Sequence, residues 1–136
     1  MKDSLKGPKV EGVYITAVPE KGEDDAEVFN VYIINNKEEQ IEGVLVSSIG
    51  YLRDEKSGEK IQTSMLRHFL ENIPAKSYKK VEPIMEDVFG LNNEYWLSFW
   101  MEKTMYDKKF IFLPETIKEE NFTDVPVMEK KGVLIE

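Results

Sequence analysis

The chain holds one histidine, His68, and no cysteine, so few side chains could move a proton or form a covalent intermediate near neutral pH. An imidazole works as a general base only with a nucleophile in reach and a carboxylate to orient it. Ser64 lies four residues before His68. On a helix that spacing puts both on one face, and on a strand it sets them two pairs apart along the same face. Such spacing recurs by chance, so an exposed or hydrogen-bonded core histidine is the simpler reading. Acidic groups recur as Glu23-Asp24-Asp25, Glu38-Glu39, Glu86-Asp87 and Glu119-Glu120. Paired carboxylates hydrolyse glycosides only when they flank a cleft at a set separation, whereas these lie in segments that read as solvated turns. Calcium needs alternating oxygen ligands around a turn glycine; Gly22–Asp25 and Asn121–Asp124 offer too few. A structural zinc site lacks His and Cys ligands, and no phosphate-cradling glycine motif is present. No catalytic residue, metal or cofactor is expected.

Aromatic residues give a stronger signal, for binding. In the first half of Asn92–Leu113, Tyr95, Leu97, Phe99 and Met101 fall on one face of a strand, and Glu94, Trp96, Ser98 and Trp100 on the other. If the first set fills a core, both tryptophans stand on the opposite face, joined by Tyr106 or Lys109 according to register. Aromatic groups exposed on one sheet face are common anchors of protein contacts. Trp96, Trp100 and Tyr106 are therefore the candidate partner-binding residues. The competing expectation is that loops or the C-terminal segment Phe122–Ile135 cover them, making a second small core.

A chain of 136 residues with 41% hydrophobic and 32% charged side chains suits one globular domain, residues 1–136. Segments 1–9 and 114–136 read as less regular. The formal charge of −8 and isolated basic pairs such as Lys79-Lys80 and Lys108-Lys109 argue against a nucleic-acid surface. No apolar run reaches the length of a membrane helix, and Met1–Pro8 has no signal-like apolar stretch. With cysteine absent as well, a cytoplasmic address is expected.

The elements that must position these residues are mostly strands. Val10–Val18 alternates until Pro19; Val28–Ile34 is apolar on both faces and reads as central. After the polar turn Asn35–Gln40, Ile41–Ser48 is expected to return antiparallel to it. Lys60–Ile73 could be a helix, with Ile61, Met65, Phe69 and Ile73 four apart, but Pro74 and a poor opening favour a bent strand. Ser77–Ile84, with Pro83 near its end, reads as an edge strand, and Glu86–Gly90 as one helical turn. The aromatic hairpin turns at Glu102-Lys103-Thr104, and Val125–Ile135 can add a short hairpin around Lys131-Gly132. About seven short strands with frequent turns predict an all-β antiparallel sandwich with at most one or two helical turns.

The segment Asn93–Phe99, with Tyr95 two residues before Leu97, resembles the sixth strand of immunoglobulin and fibronectin type III domains, and Phe29–Asn36 with Ile41–Val46 resembles an early strand pair of such sandwiches. The phrases Leu5–Val13, Leu66–Phe69 with Ile73-Pro74-Ala75, Val81–Ile84, Leu91–Trp96 and Tyr106–Phe112 resemble a family of small bacterial proteins of this length with no established activity. Similar sequences carry the label phenylalanyl-tRNA synthetase alpha subunit. The residues oppose that activity: only Arg53 and Arg67 are present, and no glycine-rich stretch follows either. The function expected is a non-enzymatic interaction module that contacts a protein partner or a second copy of itself. The alternative is a small-ligand binder or hydrolase with a pocket near His68.

Overall fold

The computed structural model describes residues 8–53 and 55–136, so most of segment 1–9 and its leader reading lie outside the described residues. Ten strands follow in order: β1 (Val13–Lys21), β2 (Glu27–Asn35), β3 (Ile41–Arg53), β4 (Lys60–Gln62), β5 (Leu66–Ile73), β6 (Ser77–Ile84), β7 (Asn92–Met101), β8 (Thr104–Phe112), β9 (Thr123–Val125) and β10 (Lys130–Ile135). They form two antiparallel sheets packed as a sandwich. The first runs β6-β2-β1-β10-β9; the second runs β4-β3-β7-β8, with β5 also pairing β3. Three 3-10 turns, at Glu23–Asp25, Glu86–Val88 and Glu119–Asn121, exceed the one or two expected.

Inward side chains follow the period of two. Ile15 and Ala17 of β1, Val31 and Ile33 of β2, Val44 and Val46 of β3, and Tyr95, Leu97 and Phe99 of β7 are all buried in one core with Phe110 and Phe112 of β8. Each fully buried side chain of this size contributes about 1.5–3 kcal/mol. The bent strand at 60–73 is realised as β4 and β5, broken at Thr63, whose hydroxyl accepts from Gly50 N at 2.9 Å.

Several boundaries differ from expectation. Strand β1 runs through Pro19 to Lys21; β10 pairs only with Ile15–Ala17, and a strand with an unpaired edge tolerates proline. Strand β3 does not pair with β2 but crosses to the other sheet. The cause is Asn35, wholly buried, whose amide nitrogen lies 2.9 Å from Glu39 O, 3.1 Å from Ile73 O and 3.0 Å from Pro74 O. One side chain thus bonds carbonyls at two of the four connections that pass between the sheets, β2 to β3 and β5 to β6.

Residues 114–136 are more regular than predicted, because β9 and β10 extend the first sheet. Their turn lies at 126–129, not at Lys131-Gly132. Val127 has a φ of 72°, and Met128 N donates to Pro126 O at 2.8 Å across it, a strained γ-turn for a β-branched residue. The turn lays Val125 and Met128 on Val18 and Ile34, a small second core over the outer face of the first sheet. Gly132 sits inside β10, where an added Cβ would be 2.5 Å from Ala17 O. Glu20 ties the same hairpin down: Oε1 accepts from Asn30 Nδ2 at 2.8 Å and Tyr32 OH at 2.6 Å, and Oε2 from Lys130 Nζ at 2.5 Å.

Gly132→Ala is expected to cost about 1–3 kcal/mol in urea unfolding, since backbone must move to admit the methyl group. Burial alone would raise the Glu20 pKa, but the bonds from Lys130, Tyr32 and Asn30 and the lysine charge outweigh it and lower the value below 4.5. The unfolded chain therefore binds the extra proton more readily. The Glu20 contribution is complete above pH 4.5 and fades as pH falls through the lowered folded value. Glu20→Gln should flatten the acid limb of a stability-versus-pH curve, measured by urea midpoints from pH 3 to 7 (~0.5-unit steps).

Candidate functional site

Two surfaces compete as the site. The first is the outer face of the second sheet. Register sets its rows: Phe69, Leu45, Ser98 and Asp107 lie in one, Arg67, Ser47, Trp96 and Lys109 in the next, and Glu42, Trp100 and Met105 at the end. Phe69 is 66% exposed, Trp96 48%, Trp100 and Met105 47% and Leu45 38%. Both tryptophans therefore stand on the face predicted for them. The C-terminal hairpin does not cover them, because it packs on the opposite sheet. Lys109 Nζ sits 5.0 Å from the Trp96 ring centroid and 3.8 Å from the Glu94 carboxylate. Trp100 lies over Gly43, where an added Cβ would come 3.3 Å from Cδ1; Gly43 has a φ of +57° at a break in the β3 ladder.

Tyr106 does not belong to this surface. It pairs with Phe99, so it points to the inner face and stacks on that ring at 5.2 Å and 7°. The two-residue turn at Glu102 and Lys103, both with positive φ, fixes the register, pairing Met101 with Thr104 and placing Met105 beside Trp100. The tryptophans' neighbours on β8 are Met105 and Lys109.

The second surface is a cleft of about 260 Å³ where β6 of the first sheet meets the end of the second. It is lined by Ser48, Gly50, Thr63, Ser64, Leu66, Ile84, Met85, Val88, Asn93 and Tyr95, with Glu82 among them. Glu82 Oε1 accepts from Ser48 Oγ at 2.9 Å and lies 2.7 Å from His68 Nε2; Oε2 accepts from Tyr95 OH at 3.0 Å. Its side chain is only 13% exposed. A carboxylate so placed needs donors to offset lost hydration, and β3, β5 and β7 each supply one. In return, burial first and Glu82 second push the Tyr95 phenol well above its ordinary range.

This order differs from a nucleophile relay. A serine nucleophile passes its proton to histidine, which the carboxylate orients. Here the carboxylate is central, and the Ser48 proton goes to Glu82 instead of His68. Ser64 lines the cleft, but the ring of His68 reaches Glu82. Glu82 went unnoticed in the sequence because no spacing links it to Ser48, His68 and Tyr95. The nearest signal was the inward Tyr95, whose hydroxyl needs a partner once buried.

A further hollow of about 440 Å³ involves Glu27, Glu86 and Asp87 beside Phe29 and Met85. Among the described residues no group of three or more His, Asp or Glu side chains is placed to hold a metal ion.

Tyr95→Phe removes one bond to a carboxylate and should cost about 1–3 kcal/mol. The raised phenol also sets an alkaline limit. The folded chain keeps a proton that the unfolded chain releases, so this stability is complete below pH 10.0 and declines above it. Unfolding midpoints between pH 9 and 11.5 (steps of about half a unit) should fall less steeply in Tyr95→Phe. Tyr32, raised by burial and by Glu20, keeps a residual slope. No family model matches this chain, and no curated protein and no solved structure shows significant similarity to it.

Proposed function

We propose that this protein is a non-enzymatic interaction module that binds a protein partner through the outer face of the sheet carrying Trp96 and Trp100. One observation carries the reading: among the described residues, the sandwich covers the outer face of one sheet and leaves that of the other exposed. Val125 and Met128 cap the first sheet at Val18 and Ile34, while Phe69, Leu45, Trp96, Trp100 and Met105 stay exposed together. A contiguous apolar face of this kind on a folded domain marks an association surface, and tryptophan is enriched among residues that dominate binding energy. Arg67 and Lys109 share one row, and Asp107 and Glu42 stand on the rows beside it, so the apolar centre has a rim of mixed charge.

The proposal extends to the finer identity of the chain. The pairings β1–β2, β2–β6, β3–β7 and β7–β8 support an immunoglobulin-like arrangement. The Tyr95 hydroxyl departs from it by bonding the Glu82 side chain where such domains bond backbone. The likeness to small bacterial proteins of this length, and a cytoplasmic address, belong to the same proposal. No described helix is long and apolar enough to cross a membrane.

A second reading rests on a different observation, the cleft that ends at Glu82 beside His68. It assigns the protein a small ligand held between the sheets, in place of or alongside a partner.

Trp96→Ala and Trp100→Ala together should cost about 2–4 kcal/mol and leave the fold in place, because each ring still buries about half of its surface. The same pair should weaken a partner complex or homodimer by roughly 30-fold or more. Native mass spectrometry of the tagged protein drawn gently from its own cells gives the readout. Loss of a stoichiometric complex with the fold intact supports the proposal. An unchanged complex, or an unfolded variant, removes this face from consideration.

A further inference from the structure

We propose that the inter-sheet cleft is a binding site for a small apolar primary amine. The ammonium would meet Glu82, and the body would rest on Leu66, Ile84, Met85 and Val88. This inference deepens the second reading above and rests on it.

Charge comes first. The described lining includes the carboxylates of Glu82 and Glu94 and no lysine or arginine. Glu94 is engaged by Lys109 at 3.8 Å on the far face of the sheet, which leaves Glu82, with His68 Nε2 at 2.7 Å from its Oε1, as the carboxylate within the cleft. Phosphates, carboxylates and nucleotides are disfavoured in such a site, and a cation is favoured. The low exposure of Glu82 strengthens that preference, because water screens a recessed carboxylate less.

The hydrogen-bond inventory points the same way. Ser48 and Tyr95 give their protons to Glu82, Thr63 Oγ1 donates to Ser64 O at 3.0 Å, and the Asn93 amide donates to Val88 O at 2.9 Å and Leu91 O at 3.1 Å. Of the lining side chains that can donate, only the Ser64 hydroxyl lacks such an acceptor among the described residues. Acceptors do remain. A carboxylate has about four acceptor positions; Ser48 and His68 share Oε1, and Tyr95 takes one on Oε2. A ligand that donates is matched, and one that needs donors finds few.

Size and lining then define the body. A 150 Å³ apolar cavity holds a benzene ring, so about 260 Å³ accommodates roughly ten heavy atoms. The mouth is apolar and uncovered: Leu66 is 50% exposed and Met85 62%, although both line a cleft between packed sheets. Beyond them β3 and β4 overshoot the sandwich, leaving Leu52 and Ile61 paired and exposed on the same face. Apolar walls around one oriented polar group are the usual make-up of a small-molecule site.

The test uses the full chain, labelled with 15N and titrated at pH 7 with 2-phenylethylamine, 2-phenylethanol and 3-phenylpropionate, each to about 20 mM. For a ligand of nine heavy atoms a Kd on the order of 1 mM is expected. The amine should shift the amides of Ser48, Asn93 and Tyr95 and bind at least tenfold tighter than the alcohol. The acid should not bind. Glu82→Gln should lose at least tenfold in amine affinity while keeping that for the alcohol. Should that variant fail to fold, Leu66→Trp, at an exposed rim position, should block the cleft and abolish the shifts. Equal or tighter binding of the alcohol or the acid in the cleft overturns the amine assignment but keeps a ligand site. Absence of shifts with every probe, or amine shifts confined to the indoles of Trp96 and Trp100, overturns both.

Discussion

One recessed carboxylate binds three strands across the gap between the two sheets. Glu82 belongs to β6 of the first sheet, and its partners Ser48, His68 and Tyr95 belong to β3, β5 and β7 of the second. Hydrophobic burial presses the layers together but has no direction. A recessed charge does have direction, because each oxygen must find donors at set distances or lose much of its hydration uncompensated. Strand β6 is an edge strand paired only with β2, and its polar bonds to the second sheet are those of Glu82 and one from Lys79 Nζ to Leu70 O at 2.7 Å. The bonds to three strands fix how far that edge stands from the facing sheet and hold the cleft beside it open.

At the other end of the sandwich, Asn35 does comparable work with a neutral group, binding carbonyls at two of the four inter-sheet connections. Glu82 and Asn35 thus hold the layers from opposite ends, and aliphatic and aromatic residues fill the space between. The outer faces are treated unequally. The C-terminal hairpin, held by Glu20 and Lys130 and fitted closely at Gly132, covers the first sheet. The second sheet keeps its tryptophans in solvent.

Much of this was legible in the chain. The alternation in Asn92–Met101 placed Tyr95, Leu97 and Phe99 inside and Trp96 and Trp100 outside, and the structure agrees. Strand β6 and its edge position were readable from Ser77–Ile84 and Pro83. The failures share a cause. Tyr106 was grouped with the tryptophans, yet a two-residue turn put it opposite Phe99; a shift of one residue in register reverses every face. Pairing of β3 with β2 was expected from proximity in sequence, but the buried Asn35 turns that connection into a crossover. Half of the site is legible in the sequence: His68 is the single imidazole, but its spacing points to Ser64, whereas its partner Glu82 is linked to it, to Ser48 and to Tyr95 only through contacts among four strands.

The sequence by itself determined what depends on local periodicity and composition: an all-β chain, the buried face of the Asn92–Met101 strand, and the absence of cysteine and of glycine-rich phosphate motifs. Side-chain alternation is a property of the strand itself, so it survives any arrangement of the sheets. Tertiary structure alone decided which strands pair, which outer face the C-terminal hairpin covers, and that Ser48, His68, Glu82 and Tyr95 meet. Those outcomes turn on contacts between residues far apart in the chain, where a single buried amide or carboxylate selects among pairings that local pattern leaves equivalent.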